Sequence, residues 1–117
     1  MYKIGIDLGG TNIATGVVDD NHKIIGRVVS KTDPESTPIE IINHIVGTVY
    51  NAMAAAGVGL SEIEEIGVGI PGAVDSARGI VEYSCNLSFQ ETAVAAMLSE
   101  KMGKRVFLTR LKKFFVV

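Results

Sequence analysis

The stretch IGIDLGGTN at residues 4–12 decides the fold, because it carries one apolar alternating run into another through Gly9-Gly10-Thr11. A second turn-forming segment, DDNH at residues 19–22, separates the next two runs. Runs of period two that are broken by residues tolerant of positive φ predict strands joined by tight turns. The first third of the chain is therefore predicted to be an antiparallel three-stranded meander, with strands at residues 2–8, 13–18 and 24–30.

A helix is predicted to follow these strands, over residues 38–56. Thr37 is its expected N-cap, Pro38 takes the first helical position, and Glu40 completes a capping box. Gly57 stands where the helix would end, since glycine adopts the left-handed cap conformation at little cost. Apolar residues recur at spacings of three and four, and this pattern predicts one inward stripe. The stripe consists of Ile39, Ile42, Val46, Val49 and Met53.

The remaining sequence predicts further strands and one more helix. EIGVGI at residues 65–70 is expected to form a buried strand that is reached by a crossover, and its glycines indicate close approach of another backbone. Pro71-Gly72 is expected to end this strand. A helix capped by Gly103 is predicted to turn Val94, Met97, Leu98 and Met102 inward. With a short strand at 79–83, that helix at 92–102 and a last strand at 105–108, the order is βββαβ(β)αβ, and no second domain is predicted.

The composition is that of a globular domain, because 47% of the 117 residues are apolar and 21% are charged. A formal net charge of −2 lacks the basic footprint of most nucleic-acid binders. No apolar run reaches the roughly 18 residues that span a bilayer. We therefore expect no nucleic-acid or membrane partner and a cytoplasmic location. The single cysteine, Cys85, excludes an internal disulfide, and His44 is interpreted as a boundary residue of the first helix and not as a ligand.

The turn between the first two strands has the chemistry of a phosphate site. Gly9 and Gly10 allow backbone N–H groups to approach an anion closely, and Thr11 adds a hydroxyl donor. Asp7, near the end of the first strand, offers an oxygen ligand for Mg²⁺, directly or through water. The alternative is an ordinary hairpin turn. The stretch is neither a Walker loop nor a dinucleotide fingerprint, because the Gly-x4-Gly-Lys spacing is absent and a strand follows it.

Three motifs in order resemble the N-terminal domain of the ROK family, within the actin, hexokinase and heat-shock chaperone superfamily. They are IGIDLGGTN at residues 4–12, GVGIPGAVD at 67–75 and GIVEYSCNLSF at 79–89, and the resemblance covers residues 2 to about 108. It implies a ribonuclease-H-like α/β domain with a mixed sheet whose first three strands are antiparallel. Asn12 departs from the pattern, since the family usually has lysine there.

The resemblance also implies functional residues of an ATP-dependent hexose kinase, with glucose as the leading substrate. Asp7 would lie near the Mg²⁺. Gly72 and Asn86 would border the sugar, although both residues have a structural alternative, as a turn and a cap respectively. The ATP-binding stretch would comprise Gly5, Ile6, Asp7, Leu8, Gly9, Gly10, Thr11 and Asn12.

The match ends after residue 108. Arg110 lies where the family has an asparagine, and Leu111 lies where it has the aspartate that acts as general base. We therefore expect no catalytic residue in this chain, and loss of such a base costs about 10²- to 10⁴-fold in rate. The family's other nucleotide-pocket wall and its zinc site would lie beyond Val117. The expected division is a domain at 1–108 and a divergent basic and apolar tail at 109–117.

Several interpretations of this tail remain open from the sequence. A frameshift, a truncation and a degenerate gene end each predict an abrupt change from a good match to an unrelated segment. Weak or no turnover is expected in each case. The apolar residues near the last strand also predict self-association through that strand. Two further functional hypotheses are a non-catalytic sugar- or nucleotide-binding or regulatory module, and an inactive self-associating fragment.

Overall fold

The structure, a computed structural model, describes residues 1–84 and 87–110. Its order of elements confirms the predicted βββαβ(β)αβ framework, to which it adds two short strands and a single 3₁₀ turn, Leu60–Glu62. The strands are β1 (Tyr2–Leu8), β2 (Asn12–Val18), β3 (Ile24–Lys31), β4 (Ile63–Ile70), β5 (Gly72–Asp75), β6 (Ile80–Ser84), β7 (Gln90–Thr92) and β8 (Arg105–Arg110), and the helices are α1 (Pro38–Ala56) and α2 (Val94–Met102).

The main sheet has five strands in the order β3-β2-β1-β4-β8. β1, β2 and β3 pair antiparallel, as predicted, whereas β4 pairs parallel to β1 and β8 pairs parallel to β4. Each parallel pair needs a crossover, and the chain crosses in the same direction both times, through α1 and then α2. Right-handed crossovers in one direction place their helices on one face. Both helices accordingly pack against the same apolar core.

The core lies between this sheet face and the two helices. Ile4, Ile6 and Leu8 alternate along β1 and are almost completely buried, as a strand with one covered face requires. Val94, Leu98 and Met102 of α2 join the same cluster, as predicted, and Met97 is half-buried beside it. The opposite residues of β1 are Lys3, Gly5 and Asp7, which remain partly or fully exposed.

Helix α1 begins and ends at the residues that the sequence predicts. The Thr37 side chain accepts a hydrogen bond from the Glu40 N–H, and the Glu40 carboxylate accepts one from the Thr37 N–H at 2.8 Å. Gly57 takes the left-handed cap conformation, with φ of 72°. Because the capping carboxylate accepts the Thr37 N–H, the pKa of Glu40 is lowered. His44 is half-buried, and its Nε2 lies 2.7 Å from the Ser30 hydroxyl.

The predicted inward stripe of α1 is wrong at Ile39, which is 47% exposed. The buried stripe is centred on a polar residue, because the Thr48 hydroxyl lies 2.9 Å from that of Thr15 in the sheet and also donates to the Ile45 carbonyl. A stripe drawn through apolar residues alone therefore misses the true centre. The buried residues of the helix are Ile41, Ile42, Ile45, Thr48, Val49, Ala52 and Met53.

Removing the helix cap tests this local account. Replacing Thr37 with alanine deletes the acceptor for the Glu40 N–H, and we expect the free energy of unfolding to fall by about 1 kcal/mol. Urea denaturation of the two chains measures the difference. Thr37→Ser keeps the acceptor and should stay close to the original chain; an equal loss in both variants would show that the cap is not the cause.

A second, smaller sheet has the order β5-β6-β7. Gly72 pairs with Ser84 in this sheet, so Pro71-Gly72 ends β4 as expected but also leads directly into a new strand. Phe89, just before β7, is completely buried and belongs to the common core. The sequence analysis missed β5 and β7 because four and three residues carry too little periodicity to identify a strand.

Candidate functional site

The candidate site lies where the parallel strands β1, β4 and β8 end. The carboxyl ends of parallel strands meet at one edge of a sheet, and in open α/β sheets ligands bind at that edge. Three segments follow these ends: the Gly9-Gly10-Thr11 turn after β1, Pro71-Gly72 after β4, and Arg110 at the last position of β8. The fold therefore brings the predicted phosphate turn and the predicted sugar residue Gly72 to the same edge.

The phosphate turn is held in shape by bonds at its base. The Gly9 N–H donates to the Asn12 carbonyl at 2.9 Å, which closes the turn. A Cβ on Gly9 would meet that same carbonyl oxygen at 3.1 Å, so the turn has little room for any other residue. Thr32, which follows β3, supports the turn from the side, because its N–H donates to the Thr11 carbonyl and its hydroxyl donates to the Gly9 carbonyl.

These bonds use the carbonyl groups of the turn as acceptors, and they do not involve the N–H groups at its tip. Within residues 1–84 and 87–110, the N–H groups of Gly10 and Thr11 donate to no protein acceptor. The Thr11 hydroxyl accepts a hydrogen bond from the Asn12 side chain at 3.3 Å. Thr11 and Asn12 are exposed. The arrangement presents two backbone donors and two polar side chains outward, which is the kind of surface that binds an anion.

Asp7 stands one residue before the end of β1, on the sheet face away from the helices. Its neighbours across the ladder are Ala14 and Gly69, and neither is large enough to cover the carboxylate. Partial burial raises the pKa of Asp7 above its ordinary value of 3.8, and the nearby Arg27 guanidinium offsets part of the rise. The folded chain therefore holds this carboxylate at a cost in stability, as is common for groups that serve function and not folding.

The pH dependence of stability tests this cost. Because the pKa of Asp7 is raised on folding, its favourable contribution is present below pH 3.8 and is lost as the pH rises through the shifted value. At pH 7 the ionised Asp7 is destabilising. We therefore expect Asp7→Asn to raise the melting temperature relative to the original chain at pH 7, by more than it does at pH 3. An equal difference at both pH values would contradict the assignment.

The Pro71-Gly72 segment is held at the edge by one contact from β8 and one from β6. The Arg110 Nε donates to the Gly72 carbonyl at 3.1 Å, and the Ser84 hydroxyl donates to the Pro71 carbonyl at 3.2 Å. Neither contact was foreseen, and no motif in the sequence signals them, because they depend on how β6 and β8 are placed. The other predicted sugar residue, Asn86, and the residue at the expected base position, Leu111, lie outside the described residues.

A cavity of about 350 Å³ lies at the opposite end of the same sheet, where β1 and β4 begin. Its lining includes Asp19, Asp20 and Glu62, whose charges repel a phosphate. Asp19 is also engaged in its own turn, where it accepts hydrogen bonds from the N–H groups of Asn21 and Lys23. The cavity is therefore a poor candidate for nucleotide binding in spite of its volume.

Residues 1–84 and 87–110 contain neither a cluster of metal-binding side chains nor a membrane-spanning helix. No group of three or more His, Cys, Asp or Glu side chains is close enough there to hold a metal ion. Among the helices that the structure describes, none is long and apolar enough to cross a membrane.

The chain is similar in sequence and in fold to known sugar kinases. The Thermotoga maritima glucokinase is 31% identical over 115 residues, which are 97% of this chain and 35% of that enzyme. The structure of a ROK hexokinase from Thermus thermophilus superposes with a TM-score of 0.82 at 33% identity, over 94% of this chain and 35% of that one. A ROK glucokinase from Streptomyces griseus, solved with glucose and AMPPNP, gives 0.83 at 29% identity, over 94% and 33%.

These likenesses define the class first: the fold is the ribonuclease-H-like α/β domain of the actin and hexokinase superfamily, as predicted. The ROK family profile matches residues 3–111. The chain belongs to the ROK family, which confirms the resemblance carried by the three motifs. It spans about a third of the length of the curated relatives that it matches.

Proposed function

We propose that this chain is the phosphate-binding N-terminal part of an ATP-dependent hexose kinase. One observation carries the proposal: a glycine turn at the carboxyl end of β1 presents the Gly10 and Thr11 amides outward, next to the carboxylate of Asp7. In a family whose relatives are glucokinases and hexokinases, this is the arrangement that phosphoryl transfer needs, because donors there offset the charge that develops on the phosphates.

ATP is the proposed nucleotide. The Streptomyces griseus relative was solved with AMPPNP, and this supports ATP use by a chain of the same fold. Gly10, Thr11 and Asn12 would contact the phosphates, whereas Ile6 and Leu8 are buried in the core and would act only by holding the strand in place. Gly5 lies on the sheet face away from the helices and pairs with Gly16 and Gly67. The proposed ATP-binding stretch remains residues 5–12.

Mg²⁺ is proposed to lie between Asp7 and the phosphates. A lone carboxylate fits this ion, because Mg²⁺ in nucleotide sites is held by one or two carboxylates, by phosphate oxygens and by water. The small neighbours Ala14 and Gly69 leave the Asp7 carboxylate accessible to the ion. Mg²⁺ bound to the phosphates would supply positive charge near the transferred group. Asp7 would orient the ion, directly or through water.

A hexose is the proposed second substrate, with glucose the leading candidate because curated relatives are glucokinases and the Streptomyces griseus structure contains glucose. Gly72 is proposed to contact a sugar hydroxyl through its backbone. Its carbonyl accepts a hydrogen bond from the Arg110 Nε–H, which holds this backbone segment at the carboxyl edge of the sheet. Asn86 is proposed as a side-chain contact.

Turnover by this chain is proposed to be weak or absent. Leu111 stands where the resemblance places the general base, and leucine cannot accept a proton. The proposed division into residues 1–108 and a divergent tail at 109–117 follows from the same departure. A non-catalytic sugar- or nucleotide-binding module is the second candidate function, favoured by Leu111. Glucose-dependent ADP formation by the chain alone, lost in Asp7→Ala, would exclude it.

Isothermal titration with Mg-ATP tests the proposal. We expect a dissociation constant in the millimolar range or tighter for the original chain, and at least tenfold weaker binding for Asp7→Ala. Asp20→Ala is the matched control, because Asp20 is an exposed carboxylate at the opposite end of the sheet. No heat of binding for the original chain, or equal binding by all three, would refute a phosphate site at this turn.

A further inference from the structure

Thr32 lies outside the glycine turn and is hydrogen-bonded to both sides of it. It follows β3, immediately beyond the last pair of the ladder between β2 and β3, which is Asn12 with Lys31. Its N–H donates to the Thr11 carbonyl at 2.9 Å, and its hydroxyl donates to the Gly9 carbonyl at 3.2 Å. The third strand of the meander therefore adds two hydrogen bonds to a turn between the first two.

The bond to the Gly9 carbonyl also sets the direction of the Gly10 N–H. These two groups belong to one planar peptide unit, and the peptide bonds of the described chain are trans. In a trans unit the carbonyl and the N–H point in opposite directions. Because the Gly9 carbonyl oxygen faces the Thr32 hydroxyl, the Gly10 N–H points away from Thr32, and it donates to no acceptor among residues 1–84 and 87–110.

The Thr32 hydroxyl is itself held in place by the fold. Thr32 is only 9% exposed, and its backbone is fixed by the bond to the Thr11 carbonyl. A β-branched side chain has few accessible χ1 rotamers, so a fixed backbone leaves its hydroxyl few directions. Two residues earlier, the Ser30 hydroxyl lies 2.7 Å from the His44 Nε2, and this contact ties the end of β3 to α1. The donor that reaches the Gly9 carbonyl is therefore positioned before any ligand binds.

An ordinary hairpin turn does not need this support. Such a turn is closed by bonds between its own two strands, and here the Gly9 N–H and the Asn12 carbonyl make that closing bond. The Thr32 hydroxyl instead restricts rotation of the peptide unit between Gly9 and Gly10, which two glycines would otherwise leave free. A donor whose direction is fixed in advance loses less entropy when a ligand binds.

We infer that Thr32 is a positioning residue of the phosphate site: its hydroxyl, through the Gly9 carbonyl, aims the Gly10 N–H at a phosphate of the nucleotide. In this role Thr32 acts through the turn and needs no contact with the ligand. The inference deepens the proposed function and rests on it, because it concerns the same phosphate turn.

Titration of three variants with Mg-ATP tests the inference. Thr32→Val keeps the shape of the side chain but removes the donor, and we expect its dissociation constant to be about fivefold higher than that of the original chain, as the loss of one hydrogen bond predicts. Thr32→Ser keeps the donor and is expected to bind within about twofold of the original chain. Thr92→Val is the matched control and should bind equally, because the Thr92 hydroxyl also makes two hydrogen bonds, both to the Gln90 backbone and in β7.

A measurement without nucleotide tests the direction of the Gly10 N–H separately from binding. Backbone amide relaxation in the isotope-labelled chain gives the order parameter of this N–H, which we expect to fall from about 0.85 to about 0.6 in Thr32→Val. Thr32→Ser and Thr92→Val should keep the original value. Thermal melting of each variant checks folding, and a purely structural role for Thr32 would lower the melting temperature without changing the affinity.

Each outcome bears on the inference in a definite way. Weaker Mg-ATP binding and a more mobile Gly10 N–H in Thr32→Val alone support it. Equal affinity in Thr32→Val and the original chain overturns it, and so does an equal loss in Thr32→Ser or in Thr92→Val, because the Thr32 hydroxyl would then not be the cause. If the original chain does not bind Mg-ATP and the Gly10 N–H is mobile only in Thr32→Val, the proposed function is refuted and the orientation of the turn by Thr32 stands.

Discussion

Replacing Gly72 with alanine is expected to lower the free energy of unfolding by about 3 to 5 kcal/mol, through backbone strain and overpacking together. Gly72 has φ of 153°, which L-residues rarely adopt. A Cβ there would also collide with the Tyr83 carbonyl oxygen on the neighbouring strand and come within 2.9 Å of the Ser84 Cα. Both obstacles are backbone atoms, so a change of rotamer cannot relieve them.

Urea denaturation of Gly72→Ala measures this loss, and Gly67→Ala is the matched control. Both glycines lie in strands, but a Cβ on Gly67 would approach only the Ile4 carbonyl oxygen, at 4.0 Å. The control is therefore expected to stay within about 0.5 kcal/mol of the original chain, as an unobstructed substitution does. Comparable losses in the two variants would show that glycine content, and not the crowding at Gly72, is responsible. If Gly72→Ala were neutral, the close pairing of β5 with β6 would be contradicted.

The second large effect is expected at Phe89, where substitution by alanine should cost about 3 to 5 kcal/mol. Phe89 is completely buried and is among the largest side chains of the common core. It directly precedes β7 of the small sheet, and it follows the segment that contains the proposed sugar residue Asn86. Its loss would leave a cavity that the surrounding strands cannot close without moving.

The control for Phe89→Ala is Tyr83→Ala. Tyr83 is an aromatic residue of the same small sheet but is 55% exposed, so its removal should leave the free energy of unfolding nearly unchanged. Equal losses in the two variants would contradict the placement of Phe89 in the core. The Phe89→Ala variant is also expected to weaken any hexose binding, because the segment before it would lose its anchor.

The sequence predicts most of the fold because the relevant signals are local. The capping box of Thr37 and Glu40 needs only residues three apart, and both of its hydrogen bonds are present in the structure. The antiparallel meander likewise follows from two short turns. The inward stripe of α1 is harder to predict from local signals. Thr48 is buried because its hydroxyl hydrogen-bonds to that of Thr15, which lies 33 residues away. Such a partner is visible only when the sheet and the helix have been placed.

The candidate site shows the same difference between residues that a local motif identifies and residues that depend on distant contacts. Asp7, Gly9 and Thr11 are identified by sequence because the motif is contiguous, and the structure places them together at the end of β1. Thr32 supports the turn, and Arg110 binds the Gly72 carbonyl, through contacts that depend on strand register. The need for glycine at position 72 also depends on strand pairing. The Tyr83 carbonyl oxygen that would obstruct a Cβ belongs to β6, and the sequence alone does not show that β6 lies beside Gly72.

The most direct test of the central claim is a map of backbone amide shifts in the isotope-labelled chain during titration with Mg-AMPPNP. We expect the largest shifts at Gly10 and Thr11, whose N–H groups donate to no described acceptor, with smaller shifts at Asp7 and Thr32. These residues lie at the carboxyl edge of the sheet. Shifts confined to the acidic cavity at Asp19 and Asp20, or none at the turn at saturating nucleotide, would contradict the assignment of this turn as the phosphate site.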